Sequence, residues 1–78
     1  MVELPNLINL KIKTIKLNGL MYQYKPPMNV LQLLLYLGFN VETVIVDYNG
    51  SVLQKEYWPY TELNTHDIIE ILTVAGGG

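Results

Sequence analysis

The chain contains no cysteine, which excludes a disulfide framework, an iron–sulfur cluster, a thiolate nucleophile and a cysteine-ligated zinc site. Histidine is nearly as scarce. His66 is the only one, so there is no His-x-x-x-His spacing, and no metal site is expected. The basic residues Lys11, Lys13, Lys16, Lys25 and Lys55 form no dense patch that would neutralise a run of phosphates, which argues against nucleic acid as a partner. The acidic residues Glu3, Glu42, Asp47, Glu56, Glu62, Asp67 and Glu70 are dispersed too. No nucleophile is paired with a base and no glycine-rich loop joins a strand to a helix, so catalytic residues are expected to be none and the chain is not expected to be a self-contained enzyme.

Long apolar runs are also missing. The longest, Leu33 to Phe39, falls far short of the ~20 residues that span a bilayer, and Met1-Val2-Glu3-Leu4-Pro5 lacks the basic-then-apolar order of a signal peptide. No membrane partner is expected, and the protein should stay where it is made: the cytoplasm, or the plastid stroma if organelle-encoded. With 78 residues the chain makes one domain that buries only ~60–65% of its unfolded surface, which leaves little room for an enclosed active site beside a core. Half the residues are hydrophobic and 15% are charged, more apolar surface than so small a globule hides, so some of it is expected to meet a partner.

Turn signals divide what remains. Residues 1–10 carry Pro5 and apolar positions out of phase with those that follow, and read as an N-terminal arm or extension. Residues 11–74 read as the domain. A first strand is expected at about Lys11 to Leu17. Asn18-Gly19 then supplies the positive φ of a type I′ hairpin turn, and Leu20 to Tyr24 returns as the second strand. Pro26-Pro27 ends strand pairing. Asn29 reads as a helix N-cap with Gln32 in the capping-box position, and Val30, Leu33, Leu34 and Leu37 share one face of a helix that Gly38 terminates. Leu31, Leu35 and Tyr36 lie off that stripe, either under loops or on a partner surface. Thr43 to Tyr48 and Ser51 to Gln54 are strands joined by Asn49-Gly50, Lys55 to Leu63 is a connection, and Asn64 to Asp67 is a turn. The order β-β-α-β-β-β predicts an α+β fold with one helix on a small mixed sheet of four to five strands. The first and last strands are expected to pair in parallel, with the last in the middle.

That last strand, Ile68 to Val74, is the base of the most distinctive feature. Ile69, Ile71 and Thr73 lie on one face and Ile68, Glu70, Leu72 and Val74 on the other. Apolar residues on both faces fit an interior strand or one whose open face meets a partner; Ile69, Ile71 and Val74 are the candidate partner surface. Residues 75–78, Ala75-Gly76-Gly77-Gly78, read as a flexible tail with nothing to pack. Extended, its four residues reach roughly 13 Å at ~3.3 Å each, enough to enter a narrow site on another protein. The bland reading is a frayed end, but the glycines follow a strong strand with no linker between. Their carboxylate, with a reference pKa of ~3.3–3.7, is ionised and a poor electrophile. An outside enzyme with ATP and Mg²⁺ can convert it to an acyl-adenylate; attack by a persulfide and reductive S–S cleavage then leave a thiocarboxylate on Gly78.

Other residues carry weaker signals. His66 beside Asp67 can be drawn as an acid–base pair, but a turn residue with an unusual backbone angle is the stronger reading. Trp58, Tyr57 and Tyr60 are expected to cover the end of the sheet rather than stack on a ligand. Glu70 is either an open-face residue or a contact to a basic partner.

Leu17-Asn18-Gly19, the helix after Asn29, Val44-Ile45-Val46 with Asn49-Gly50, Trp58, Leu63, Asp67-x-Ile69-Glu70-Ile71 and Val74-Ala75-Gly76-Gly77-Gly78 together resemble the ThiS family. Its members are the ubiquitin-like β-grasp sulfur carriers of thiamin thiazole synthesis, and the resemblance covers roughly Ile12 to the end. It implies that Gly78 is the adenylated and thiocarboxylated residue and that Ala75, Gly76 and Gly77 are the tail entering a partner's channel. It also implies that the chain binds no cofactor itself, ATP and Mg²⁺ belonging to a ubiquitin-activating-like adenylating enzyme. The remaining partners would be a persulfide sulfur donor and thiazole synthase. Two departures stand out: residues 1–10 precede the family's usual start, and His66 replaces its usual glycine. The molybdopterin-synthase small subunit and a ubiquitin-like modifier share the tail chemistry. The former typically has an aromatic- and proline-rich approach that Ile71-Leu72-Thr73-Val74 lacks. A non-catalytic β-grasp interaction module is the alternative of a different class.

Overall fold

The computed structural model describes residues 11–74. Strand β1 (Lys13–Leu17) and strand β2 (Leu20–Tyr24) form a hairpin with Leu17 opposite Leu20. Positive φ at Asn18 (49°) and Gly19 (85°) gives the two-residue turn its sense. Helix α1 (Val30–Tyr36) starts in a reciprocal cap: Asn29 Oδ1 accepts from Gln32 N and Gln32 Oε1 accepts from Asn29 N, each at 2.8 Å. It ends where Gly38 turns to φ +83° and Phe39 N donates to Leu34 O at 3.0 Å. Strands β3 (Val44–Tyr48) and β4 (Ser51–Leu53) form the second hairpin around Asn49-Gly50. A 3₁₀ helix (Lys55–Tyr60) and the turn before Asp67 lead to β5 (Ile68–Thr73).

The sheet order is β2-β1-β5-β3-β4. β5 runs parallel to β1 and antiparallel to β3, which makes the last strand the centre of the sheet, as the pattern of elements predicts. One face of the sheet packs under the helix. Val30, Leu33 and Leu34 of α1 are fully buried with Ile15, Val46, Leu63 and Ile69, and this closed layer supplies most of the domain's stabilisation.

The Lys55–Leu63 connection is more ordered than its sequence predicts. Its 3₁₀ helix buries Trp58, whose indole Nε1 donates to Leu53 O at 2.9 Å. Of the three aromatic residues expected to cover the sheet, only Trp58 does so, since Tyr57 and Tyr60 are exposed. After the helix, Leu63 N donates to Met28 O and Val30 N to Thr61 O, tying this connection to the start of α1.

Candidate functional site

The centre of the fold is the strand that leads to the C-terminus, and the two Asn-Gly turns grip it from opposite sides. On the β1 side, Lys16 N donates to Asp67 O and Asn18 N to Ile69 O, each at 2.9 Å. There β1 ends and the side chain of Asn18 takes over: its Oδ1 accepts from Ile71 N at 2.7 Å, and its Nδ2 donates to Ile71 O at 3.4 Å. On the β3 side, Asn49 N donates to Ile68 O at 2.7 Å and Asn49 Oδ1 accepts from Ile68 N at 2.7 Å. Sequence reasoning assigned these asparagines to turns alone. Their long-range role has no local signal, because it depends on which strand lies beside each turn.

Asp67 anchors the start of β5. Its carboxylate accepts from Tyr48 OH (2.7 Å), Asn64 N (2.7 Å) and Asn49 Nδ2 (3.1 Å) and is buried, which satisfies the charge with three donors. Burial, together with the hydrogen bond to Asp67 and its negative charge, pushes the Tyr48 phenol up to about 12. Burial also raises Tyr24, aided by Asp67 and Glu62; its hydroxyl is enclosed without a partner among the described residues. His66 takes φ +74° and its N–H donates to Thr14 O at 2.9 Å, the turn role expected of it. The carboxylate beside it is occupied by Tyr48, Asn49 and Asn64 instead of forming an acid–base pair.

The open face of the sheet carries the unpartnered apolar surface. Ile45 and Leu72 are directly opposite, Asp47 and Glu70 are the next pair, Val52 lies beyond Asp47, and Ile68 faces Lys16, with Met21 beyond it. Ile45, Val52, Ile68, Leu72, Val74 and Met21 are all exposed. Apolar side chains therefore surround an acidic pair, and Leu72 and Val74 bring that surface to the last described residue. The candidate partner surface needs correction here. Ile69 is 0% and Ile71 5% exposed, because their face of β5 is the one α1 covers; only Val74 of the proposed set lies on the surface. The same alternation that sends Ile69 and Ile71 inward turns Ile68 and Leu72 outward.

The glycines Gly76, Gly77 and Gly78, with Ala75, lie outside the described residues, as does the 1–10 arm. Elsewhere, a shallow open hollow of about 300 Å³ lies between Pro27, Met28 and Gln32 on one side and Pro59, Tyr60 and Glu62 on the other. Among the described residues no three His, Asp or Glu side chains converge as metal ligands, and no helix is long and apolar enough to cross a membrane.

Comparison with known proteins gives this geometry a family. The ThiS family matches residues 15–78. The chain is 35% identical over 66 residues to the "uncharacterized protein ycf40" of Trieres chinensis, covering 85% of this chain and 90% of that one. It is 37% identical over 65 residues to the protein of the same name from Pyropia yezoensis, covering 83% and 92%. Among solved structures it is similar to the thiamine biosynthesis protein ThiS of Geobacter metallireducens, with a TM-score of 0.72 and 32% identity over 83% of this chain and 99% of that one. The chain belongs to the ThiS family and has its ubiquitin-like β-grasp fold.

Proposed function

We propose that this protein is a sulfur carrier for thiamin biosynthesis, a co-substrate rather than a catalyst, and that Gly78 carries the sulfur. A ubiquitin-activating-like enzyme holding ATP and Mg²⁺ adenylates the Gly78 carboxylate and releases pyrophosphate. A persulfide then attacks the acyl carbon and displaces AMP. A thiol reductant cleaves the resulting S–S bond, leaving the thiocarboxylate on Gly78 and the donor as a free thiol. Thiazole synthase takes that sulfur into the thiazole ring. Ala75, Gly76 and Gly77 are the segment that enters each partner's channel, where side chains would be excluded.

The observation that carries this reading is that the ThiS family match runs through the glycine end, to residue 78. The clamped central strand supports it, since a tail needs a rigid root to deliver its end to an enzyme. The open face around Ile45, Leu72 and Val74 is the docking surface in this reading, with Glu70 and Asp47 set to meet a basic side chain. The relatives' shared ycf40 name is compatible with a plastid location, and we place the protein in the stroma.

The test is intact-mass analysis after incubation with the adenylating enzyme, ATP, Mg²⁺, a persulfide donor and a thiol reductant. A gain of about 16 Da, oxygen replaced by sulfur at the C-terminus, is the expected result, and it should vanish when an unremovable residue follows Gly78. An isopeptide bond to lysine would instead make the chain a modifier. Sulfur transfer to a molybdopterin precursor but not to thiazole would assign it to the other carrier class. No change of mass, with deletion of Gly77 and Gly78 silent in thiamin-dependent growth, would leave only an interaction module.

A further inference from the structure

We infer that Asn18 is a site of spontaneous deamidation in the folded protein and that Asn49, in the same Asn-Gly sequence, is protected by the fold. The chemistry requires no partner but water. The amide nitrogen of the following glycine gives up its proton and attacks the asparagine Cγ. A Cγ–N bond forms, the Cγ–Nδ2 bond breaks and Nδ2 leaves as ammonia. Water then opens the five-membered imide at either carbonyl, leaving an aspartyl or isoaspartyl residue, with no oxidation or reduction. Glycine is the successor that hinders this attack least, because it has no Cβ.

Both asparagines occupy the positive-φ first position of a two-residue hairpin turn, at 49° and 52°. In both, the side chain is turned toward β5 and must swing back over the glycine nitrogen to react. What restrains them differs. Asn49 is held by its own N–H on Ile68 O (2.7 Å), by Oδ1 on Ile68 N (2.7 Å) and by Nδ2 on Asp67 Oδ1 (3.1 Å). Its attacking group is also occupied: Gly50 N–H donates to Asp47 Oδ1 at 3.0 Å, and a carboxylate so placed both holds the proton and disfavours the amide anion. The product would also set a new carboxylate against Asp67. Asn18 has only its N–H on Ile69 O (2.9 Å), Oδ1 on Ile71 N (2.7 Å) and a long Nδ2 contact of 3.4 Å to Ile71 O. No partner occupies the Gly19 N–H among the described residues. Leu20, which follows this turn, is 74% exposed, so little apolar burial is lost when the turn opens.

The test is peptide mapping by mass spectrometry of the full chain aged in mildly alkaline buffer, native and in denaturing urea. In urea both Asn-Gly peptides should gain about one dalton at similar rates. In the native protein the Asn18 peptide should react at least about a hundredfold faster than the Asn49 peptide, since reaction at Asn49 must break two further hydrogen bonds to carboxylates, Asn49 Nδ2 to Asp67 and Gly50 N to Asp47. It should also split into aspartyl and isoaspartyl forms. Equal native rates, a faster Asn49, or no native reaction at Asn18 while the denatured chain goes to completion would each overturn the inference.

Discussion

The side-chain amide of Asn18 meets the backbone of Ile71 with both of its polar atoms, its Oδ1 on the Ile71 N–H at 2.7 Å and its Nδ2 toward the Ile71 carbonyl at 3.4 Å. It does for β5 what the next residue of β1 would have done had that strand not turned away. On its β1 side the central strand thus keeps its hydrogen bonding two residues beyond Ile69, while on the other side β3 holds it through Thr73.

Replacing Asn18 separates this contact from the backbone demand of the turn. Asn18→Gly keeps the positive φ and loses only the side chain, and should cost about 1 kcal/mol. Asn18→Ala keeps a Cβ in the left-handed region without the amide that lets asparagine tolerate it there, and should cost roughly 2–3 kcal/mol. Urea denaturation of the three proteins measures both; equal losses would show that only the side-chain contact matters, and a loss confined to Asn18→Ala would show that only the backbone conformation does.

Asp67 should be the polar residue least open to change. Asp67→Asn keeps the shape but replaces an acceptor oxygen with an NH₂ group facing one of three donors, Tyr48 OH, Asn64 N or Asn49 Nδ2. A loss of about 2–3 kcal/mol follows from the charge-assisted bonds involved. A melting temperature unchanged from the parent would contradict the assignment of Asp67 as anchor.

Tyr48 makes the fold sensitive to alkali. Its pKa is raised from 10.0 to about 12 in the folded protein, so the native state holds the phenolic proton after the unfolded chain has released it. The contribution is complete below pH 10.0 and is lost as the pH rises toward about 12. Tyr24 shifts in the same direction. Stability measured across that window should fall with pH, and Tyr48→Phe should flatten the slope without abolishing it; an unchanged slope would remove Tyr48 as the cause.

Much of this fold could be read along the chain because its signals are local. Asn18-Gly19 and Asn49-Gly50 each need positive φ and have it, Asn29 and Gln32 make their cap within four residues, and Val30, Leu33 and Leu34 declare a buried helical face. What stayed hidden depends on tertiary placement. Period-two alternation separates Ile69 and Ile71 from Ile68 and Leu72 but does not tell which pair α1 will cover. The 3₁₀ helix around Trp58-Pro59 has no apolar periodicity to mark it. The side-chain partners of Asn18 lie 53 residues away.

The two faces of β5 give the sharpest test of where function resides. Ile69→Ala opens a cavity in a fully enclosed core and should cost about 2–5 kcal/mol, most of the stability of so small a domain. Leu72→Gln, on the exposed face beside Ile45, should change stability by no more than ~0.5 kcal/mol. If that face docks the adenylating enzyme, the same substitution removes about 2 kcal/mol of apolar burial from the complex and should raise the KM for adenylation roughly thirtyfold with kcat little changed. Calorimetry of the two variants and an adenylation assay of Leu72→Gln resolve the roles. Normal KM in Leu72→Gln would move the docking surface away from the open face and leave its apolar side chains unexplained.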